Sequence, residues 1–220
     1  MVKFDTYVNN KFDTTVNNAL YLDVMVNTRQ FDEDAVLEVA LKTFWQNGFA
    51  ATSMIDVAEA TGVQRGSLYN AYTDKEQLFL LTYERYASRF LDSVRLALSN
   101  PDPAVALTAL LKGIIASFSV GAPTRGCLTT KTAIELPLAG KAIEARVRRL
   151  LEDLTTLIRD ALSMPAARRK LSCDPDVAAD LVVTFTRGLA VMERAFRNPR
   201  HLEKMAQQFV KVLVPEARRR

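Results

Sequence analysis

Residues 52–79 read TSMIDVAEATGVQRGSLYNAYTDKEQLF, and the way this stretch punctuates itself decides the fold. Ser53 followed three residues later by Asp56 has the form of a capping box, which satisfies two free amides at a helix start. Ile55, Val57 and Ala58 then give a short apolar helix that stops at Thr61-Gly62-Val63. Gly62 is free to take the positive φ of a sharp inter-helix turn, and Val63 is placed to plug the angle. The next helix, Gln64 to Tyr72, has few core-facing residues, chiefly Leu68. About two turns with one apolar anchor are marginal alone, so this helix reads as presented rather than packed. Asp74 and Gln77 open a much longer helix, with Lys75 in its first turn, where the dipole disfavours a cation. Lys75 is either a solvated lysine between two acids or a phosphate clamp acting with the free amides of that helix start. Its place directly after the presented helix favours the clamp.

On the N-terminal side, Asp32 caps a first helix with Glu33 and Asp34 in its first turn. Val36, Val39, Ala40 and Phe44 form its apolar stripe, widened by Leu37 and Leu41, and Gly48 supplies the stop. Earlier still, Lys3 to Asn10 (KFDTYVNN) and Lys11 to Asn18 (KFDTTVNN) repeat with one difference, Tyr7 against Thr15. Two copies make no solenoid, so residues 1–28 are expected to be a flexible tail. Met25, leading straight into the first helix, offers a second candidate start of the functional protein.

Composition bounds the class. A hydrophobic content of 49% with 25% charged residues suits an ordinary folded soluble protein. No apolar run is long enough for a bilayer, and no signal-peptide pattern opens the chain, so the cytoplasm is expected, with no membrane partner. Cys127 and Cys173 make neither a disulfide framework nor a zinc set, and no metal or cofactor is expected. The only histidine, His201, reads as a surface residue, and no nucleophile or phosphate-cradling motif argues for an enzyme. The net charge of +4 is no argument for nucleic acid. Between residues 29 and 79 the bases Arg29, Lys42, Arg65 and Lys75 are outnumbered by Asp32, Glu33, Asp34, Glu38, Asp56, Glu59, Asp74 and Glu76.

From Phe31 to about Phe90 the sequence resembles the DNA-binding domain of the TetR/AcrR family. The resemblance rests on the joint from Gly48 to Thr52, Ile55 to Ala58, Gly62-Val63, Gly66-Ser67-Leu68-Tyr69, Tyr72 and Lys75-Glu76. It implies an all-α protein: a three-helix helix-turn-helix domain at residues 29–90, joined through a long fourth helix to a helical sensor and dimerisation domain at 91–220. By position it assigns phosphate contacts to Thr52 or Ser53, Tyr69, Tyr72 and Lys75, and base-edge contacts to Gln64, Arg65 and Ser67, with Asn70 as a further candidate. Arginine grips guanine and glutamine adenine through paired hydrogen bonds, which agrees with that assignment. Gln64 stands where the family often has a small hydroxyl residue, so the helix cap departs from the pattern. The two tyrosines also suit packing under the long helix, with the hydroxyl outward. The implied function is a transcriptional regulator, a repressor released from double-stranded operator DNA by a small-molecule inducer or a thiol-reactive signal, and a homodimer. The alternative is a helical ligand-binding protein that no longer binds DNA, which the acidity of this unit keeps open.

Beyond Leu98 the pattern continues helical. Ala104 to Val120 is apolar on most sides, and Pro123 breaks it. A helix beginning near Cys127 is disturbed by Pro137, and a longer one runs to Met164. Asp174-Pro175 opens a helix to about Arg197, within which Gly188 is expected to permit close helix approach, and a last helix follows Asn198-Pro199. The final pair resembles the family's dimerising helices. Phe118, Leu110 and Ile134 suit either a lipophilic inducer or a core. Cys127, at a probable helix start with Arg125 and Lys131 near, is a candidate sensor thiol, since helix amides and cations raise thiol reactivity. It equally suits a small buried hydrophobe, and that plainer reading takes precedence.

Overall fold

The computed structural model describes residues 31–216; the octapeptide repeat, the start at Met25 and the terminal run Arg218 to Arg220 lie outside them. The helices are α1 (Glu33–Asn47), α2 (Met54–Thr61), α3 (Arg65–Tyr72), α4 (Lys75–Ala97), α5 (Pro103–Phe118), α6 (Leu128–Glu135), α7 (Lys141–Ser163), α8 (Pro165–Arg168), α9 (Pro175–Phe196) and α10 (Pro199–Leu213). No strand occurs among the described residues, and the protein is all-helical.

Helix starts are encoded locally. Asp32 accepts hydrogen bonds from Asp34 N and Ala35 N at the head of α1, and Asp74 does the same for Gln77 N at α4. Helices α5, α9 and α10 each begin with an Asx cap followed by proline: Asp102-Pro103, Asp174-Pro175 and Asn198-Pro199. Proline at the first helical position sacrifices an amide that has no partner anyway. Pro137 ends α6 as expected, and the chain makes a single 3₁₀ turn, Leu136–Leu138, before α7.

The core is continuous from one end of the molecule to the other. In the N-terminal half, Val36, Leu37, Ala40, Leu41 and Phe44 of α1 are buried against Leu78 and Phe79 of α4. Phe79 lies 5.1 Å from the Phe44 ring, 5.0 Å from Phe49 and 5.5 Å from Tyr83. Tyr83 and Tyr86 extend this aromatic chain into the second half, where Trp45 meets Tyr86 edge-on. Around α4, the apolar α5 packs on α10 and α9, and the stripe Ile143, Val147, Leu150, Leu154, Ile158 and Leu162 of α7 faces α9.

Two expectations are corrected. Ile134 is 72% exposed, because α6 is a short helix with one face on the core and the other in solvent. Leu68 is not the only anchor of α3: Tyr72 is fully buried beside it, with its ring 6.3 Å from Phe31.

Glu193 is fully buried on α9, and among the described residues neither carboxylate oxygen has a hydrogen-bond partner. Lys131 lies near enough to interact with it electrostatically, but burying a carboxyl whose oxygens make no hydrogen bond is costly. Glu193→Gln is therefore expected to leave the unfolding free energy unchanged or to raise it, whereas Phe79→Ala should lower it by about 3–5 kcal/mol by removing a ring shared by α1, the α1–α2 joint and α4. Urea denaturation followed by circular dichroism checks both; a clear loss of stability in Glu193→Gln would contradict the first.

Candidate nucleic-acid interface

The capping box expected at α2 is present. Ser53 Oγ accepts from Asp56 N at 3.2 Å, while Asp56 Oδ2 accepts from Ser53 N at 2.7 Å and from Ser53 Oγ at 2.8 Å. These bonds hold the Asp56 carboxyl below its ordinary value, the backbone donor of Ser53 contributing most. Helix α2 ends at Gly62, which adopts φ 69° and ψ 9°, a left-handed geometry that costs glycine little and most residues more. That turn swings α3 across the end of α2.

Helix α3 is held by Leu68 and Tyr72, one turn apart on its inner side. Its outer side leaves Gln64, Arg65, Tyr69 and Asn70 exposed, with Ser67 half-buried at the margin. The Arg65 guanidinium lies 5.4 Å from the Tyr69 ring centre, a cation–π pair that steadies both side chains. Gln64 caps the helix by position only, with no side-chain bond to the first amides, as its departure from the hydroxyl pattern suggested. Those amides and the exposed side chains share one polar end.

The remaining expected contacts divide. Ser53 is exposed beside α3's neighbour α2. The Thr52 hydroxyl is buried and donates to Gly48 O at 2.7 Å, so of the Thr52/Ser53 alternative only Ser53 offers a surface group. The outward hydroxyl expected of Tyr72 is corrected too, since its oxygen lies inside the fold. Tyr69, 39% exposed, is the tyrosine left at the surface. Lys75 is half-buried: its ammonium donates to Phe49 O at 3.0 Å and sits 4.3 Å from the Phe49 ring centre. An ammonium has three donors, so this bond fixes Lys75 at the α4 start without exhausting it.

The acidity of this half has a structural explanation. Asp32, Asp56 and Asp74 cap helices, and Asp34 and Glu38 pair with Arg85 and Arg89 of α4. The acids serve the scaffold, and the outer face of α3 carries Arg65 with no acid of its own.

Sequence reasoning missed how the second half grips the first. Trp45 Nε1 donates to Gly126 O at 2.7 Å, Lys131 Nζ to Trp45 O and Gln46 O, and Glu135 accepts from Phe49 N and Ala50 N. These partners lie 81 to 86 residues apart, so no local pattern announces them. Cys127 is half-buried at the head of α6. Lys131 lies near enough to interact with it electrostatically, as expected, and a cation that was not expected, Arg187 of α9, points Nη1 at the sulfur, 3.7 Å away. Arg125 instead lies over the Trp45 ring at 3.9 Å. Cys127, Thr130, Lys131 and Glu135 line one wall of a cleft of about 430 Å³, with Ala190 and Arg194 of α9 opposite. Burial pushes the nearby Tyr83 phenol up to about 12 and raises Tyr86 as well, so both hydroxyls stay protonated while bonded to Thr129.

A capped helix, a left-handed glycine turn and a second helix presenting arginine and amide side chains define a helix-turn-helix DNA-binding protein. The comparisons sharpen this. Residues 36–82 match the model of bacterial regulatory proteins of the tetR family, and residues 103–209 match the tetracyclin repressor-like C-terminal domain. The HTH-type transcriptional repressor ComR of Escherichia coli strain K12 is 31% identical over 183 residues, covering 80% of this chain and 85% of ComR. The icaADBC regulator IcaR of Staphylococcus epidermidis is 21% identical over 153 residues, 70% of this chain and 79% of IcaR. Among solved structures, reduced E. coli NemR superposes with a TM-score of 0.75 at 18% identity, over 84% of this chain and 97% of NemR. A cysteine mutant of CifR, complexed with 26-bp operator DNA, superposes at 0.73 with 24% identity, over 83% and 97%. The chain belongs to the TetR family and is a DNA-binding transcriptional regulator.

The Asp56 cap yields a pH prediction. A carboxyl depressed in the folded state stabilises the fold above its unfolded value, here 3.8, and that contribution vanishes as pH falls through the lower folded value. Asp56→Asn should therefore be less stable than the parent at about pH 6, with the deficit shrinking as the pH falls below 3.8, as read by the urea midpoint across that range. A deficit independent of pH would assign the effect to something other than the carboxylate.

Proposed function

We propose that this chain is a homodimeric repressor that holds a near-palindromic operator through α3 and releases it when a small-molecule or thiol-reactive signal reaches the second half of the molecule. Residues 29–90 form the DNA-binding unit and residues 91–220 the sensor and dimerisation unit, with α4 common to both. The observation that carries the reading is the outer face of α3, where Gln64, Arg65, Tyr69 and Asn70 stand exposed on a helix fixed from inside by Leu68 and Tyr72. Gln64, Arg65 and Asn70, with Ser67 at the margin, reach base edges in the major groove. Ser53, Tyr69 and Lys75 meet the flanking phosphates, and Thr52 and Tyr72 support them from below.

A second copy is required because one short helix reads only half of a two-fold site. Helix α9 supports this by leaving Val177, Leu181, Val191, Met192 and Phe196 exposed, an apolar stripe that a lone soluble chain would be expected to cover. Gly188 stands on the same exposed side, where close approach would be to a partner helix. The half-buried Cys127, with the Arg187 guanidinium against its sulfur and a cleft beside it, supports the thiol-reactive signal. ComR is named a repressor, which supports repression here, and a cytoplasmic location follows from that role. The surplus of acids between residues 32 and 76 favours a second reading, a ligand-binding protein without DNA affinity.

A mobility-shift assay on DNA flanking the gene separates the two: specific binding that weakens steeply with salt is expected, and its absence at low salt favours the second reading. Arg65→Ala should lower operator affinity by about ten- to a hundredfold, the worth of one good base contact. For the signal, Cys127→Ser is expected to keep operator affinity and lose release by hydrogen peroxide; release at the parent's rate would remove the thiol from the mechanism.

A further inference from the structure

Helix α1 ends against α6, and the contact is polar in a complementary way. The last carbonyls of a helix lack intrahelical partners and carry the negative end of its dipole. Lys131 supplies them with an ammonium, donating to Trp45 O at 2.5 Å and Gln46 O at 3.1 Å. One turn further along α6, Glu135 Oε2 accepts from Phe49 N at 2.7 Å and Ala50 N at 3.2 Å, the free amides of the joint between α1 and α2. A cation and an anion four residues apart thus meet carbonyls and amides respectively. The Phe49 peptide groups are held from two sides, since its carbonyl accepts from Lys75 of α4.

Two glycines make room for this arrangement. A Cβ on Gly48 would overlap the Glu135 carboxylate, and Gly48 also adopts φ +90°. A Cβ on Gly140 would overlap the carboxylate of Glu76, which reaches from the first turn of α4 to the N-cap of α7. The two carboxylates cross the junction in opposite directions.

We propose that Glu135 and Lys131 are positioning residues for DNA recognition: they lock the α1–α2 joint to the second half of the molecule and so set where α3 is presented, without touching DNA. The cleft of about 430 Å³ opens on this lock, with Lys131 and Glu135 in its wall, so an occupant there would bear on the joint directly. The functional half of this inference rests on the DNA-binding reading above.

The test uses the full chain carrying Glu135→Ala or Glu135→Gln. Amide hydrogen exchange reads the lock without DNA: Phe49 and Ala50 should exchange about tenfold faster in Glu135→Ala, as expected for losing a charge-assisted hydrogen bond. Fluorescence anisotropy with the operator and with a random duplex reads its consequence. Glu135→Ala should weaken operator binding about tenfold, with random-sequence affinity and its salt slope unchanged. Glu135→Gln, which keeps an acceptor oxygen, should recover most of the loss. Unchanged exchange at Phe49 and Ala50 overturns the lock. Operator and random-sequence affinity falling together with the melting temperature, or a glutamine variant no better than alanine, overturns the positioning role. A parent protein that selects no sequence at all would count against the DNA-binding reading instead, and the exchange arm would still decide the lock.

Discussion

The packing of the Phe79 ring against Phe44, Phe49 and Tyr83 is the contact on which the rest of the molecule depends. It joins three things that must keep a fixed relation: the body of α1, the joint leading to α2, and the head of α4. Because α4 runs on for 23 residues into the second half, the same helix that closes the DNA-binding core also forms a wall of the other. The buried aromatic chain through Tyr83 and Tyr86 has no polar break, and the two phenols are satisfied on a single hydroxyl, that of Thr129 on α6. Motion at α6 therefore cannot be independent of α4.

What was legible in the sequence was whatever chemistry acts within a few residues. The Ser53–Asp56 cap, the Gly62 turn and the Asx-Pro helix starts were readable because cap, amide and φ belong to neighbours along the chain. The exposed face of α3 followed from the scarcity of apolar residues at its helical spacing. Tyr72 was misjudged because a tyrosine suits both a core and a surface, and only the position of Phe31 and the neighbouring helices decides. Ile134 was misjudged in the opposite sense: an apolar residue on a short helix carries no information about which side is covered. Arg187 beside Cys127, and Lys131 and Glu135 on α1, lie 60 to 86 residues from their partners and left no local trace.

Charge shows the same division between scaffold and surface. A count along the chain makes the N-terminal half acidic, which argues against DNA. In three dimensions Asp32, Asp56 and Asp74 sit at helix starts and Asp34 and Glu38 pair with Arg85 and Arg89, and exposed pairs of this kind contribute little stability each. The outer face of α3 itself carries Arg65 and no acid. Net charge is a sum, and recognition depends on placement.

The Asx-Pro starts of α5, α9 and α10 carry a consequence for how such a protein diversifies. Each of these helices knows where to begin from two adjacent residues, whatever side chains line its inner face. The interior, including the residues around the cleft beside Cys127, can then be exchanged piece by piece while helix register is preserved. The lining of that cleft becomes a property separable from architecture, free to change without the chain relearning how to fold.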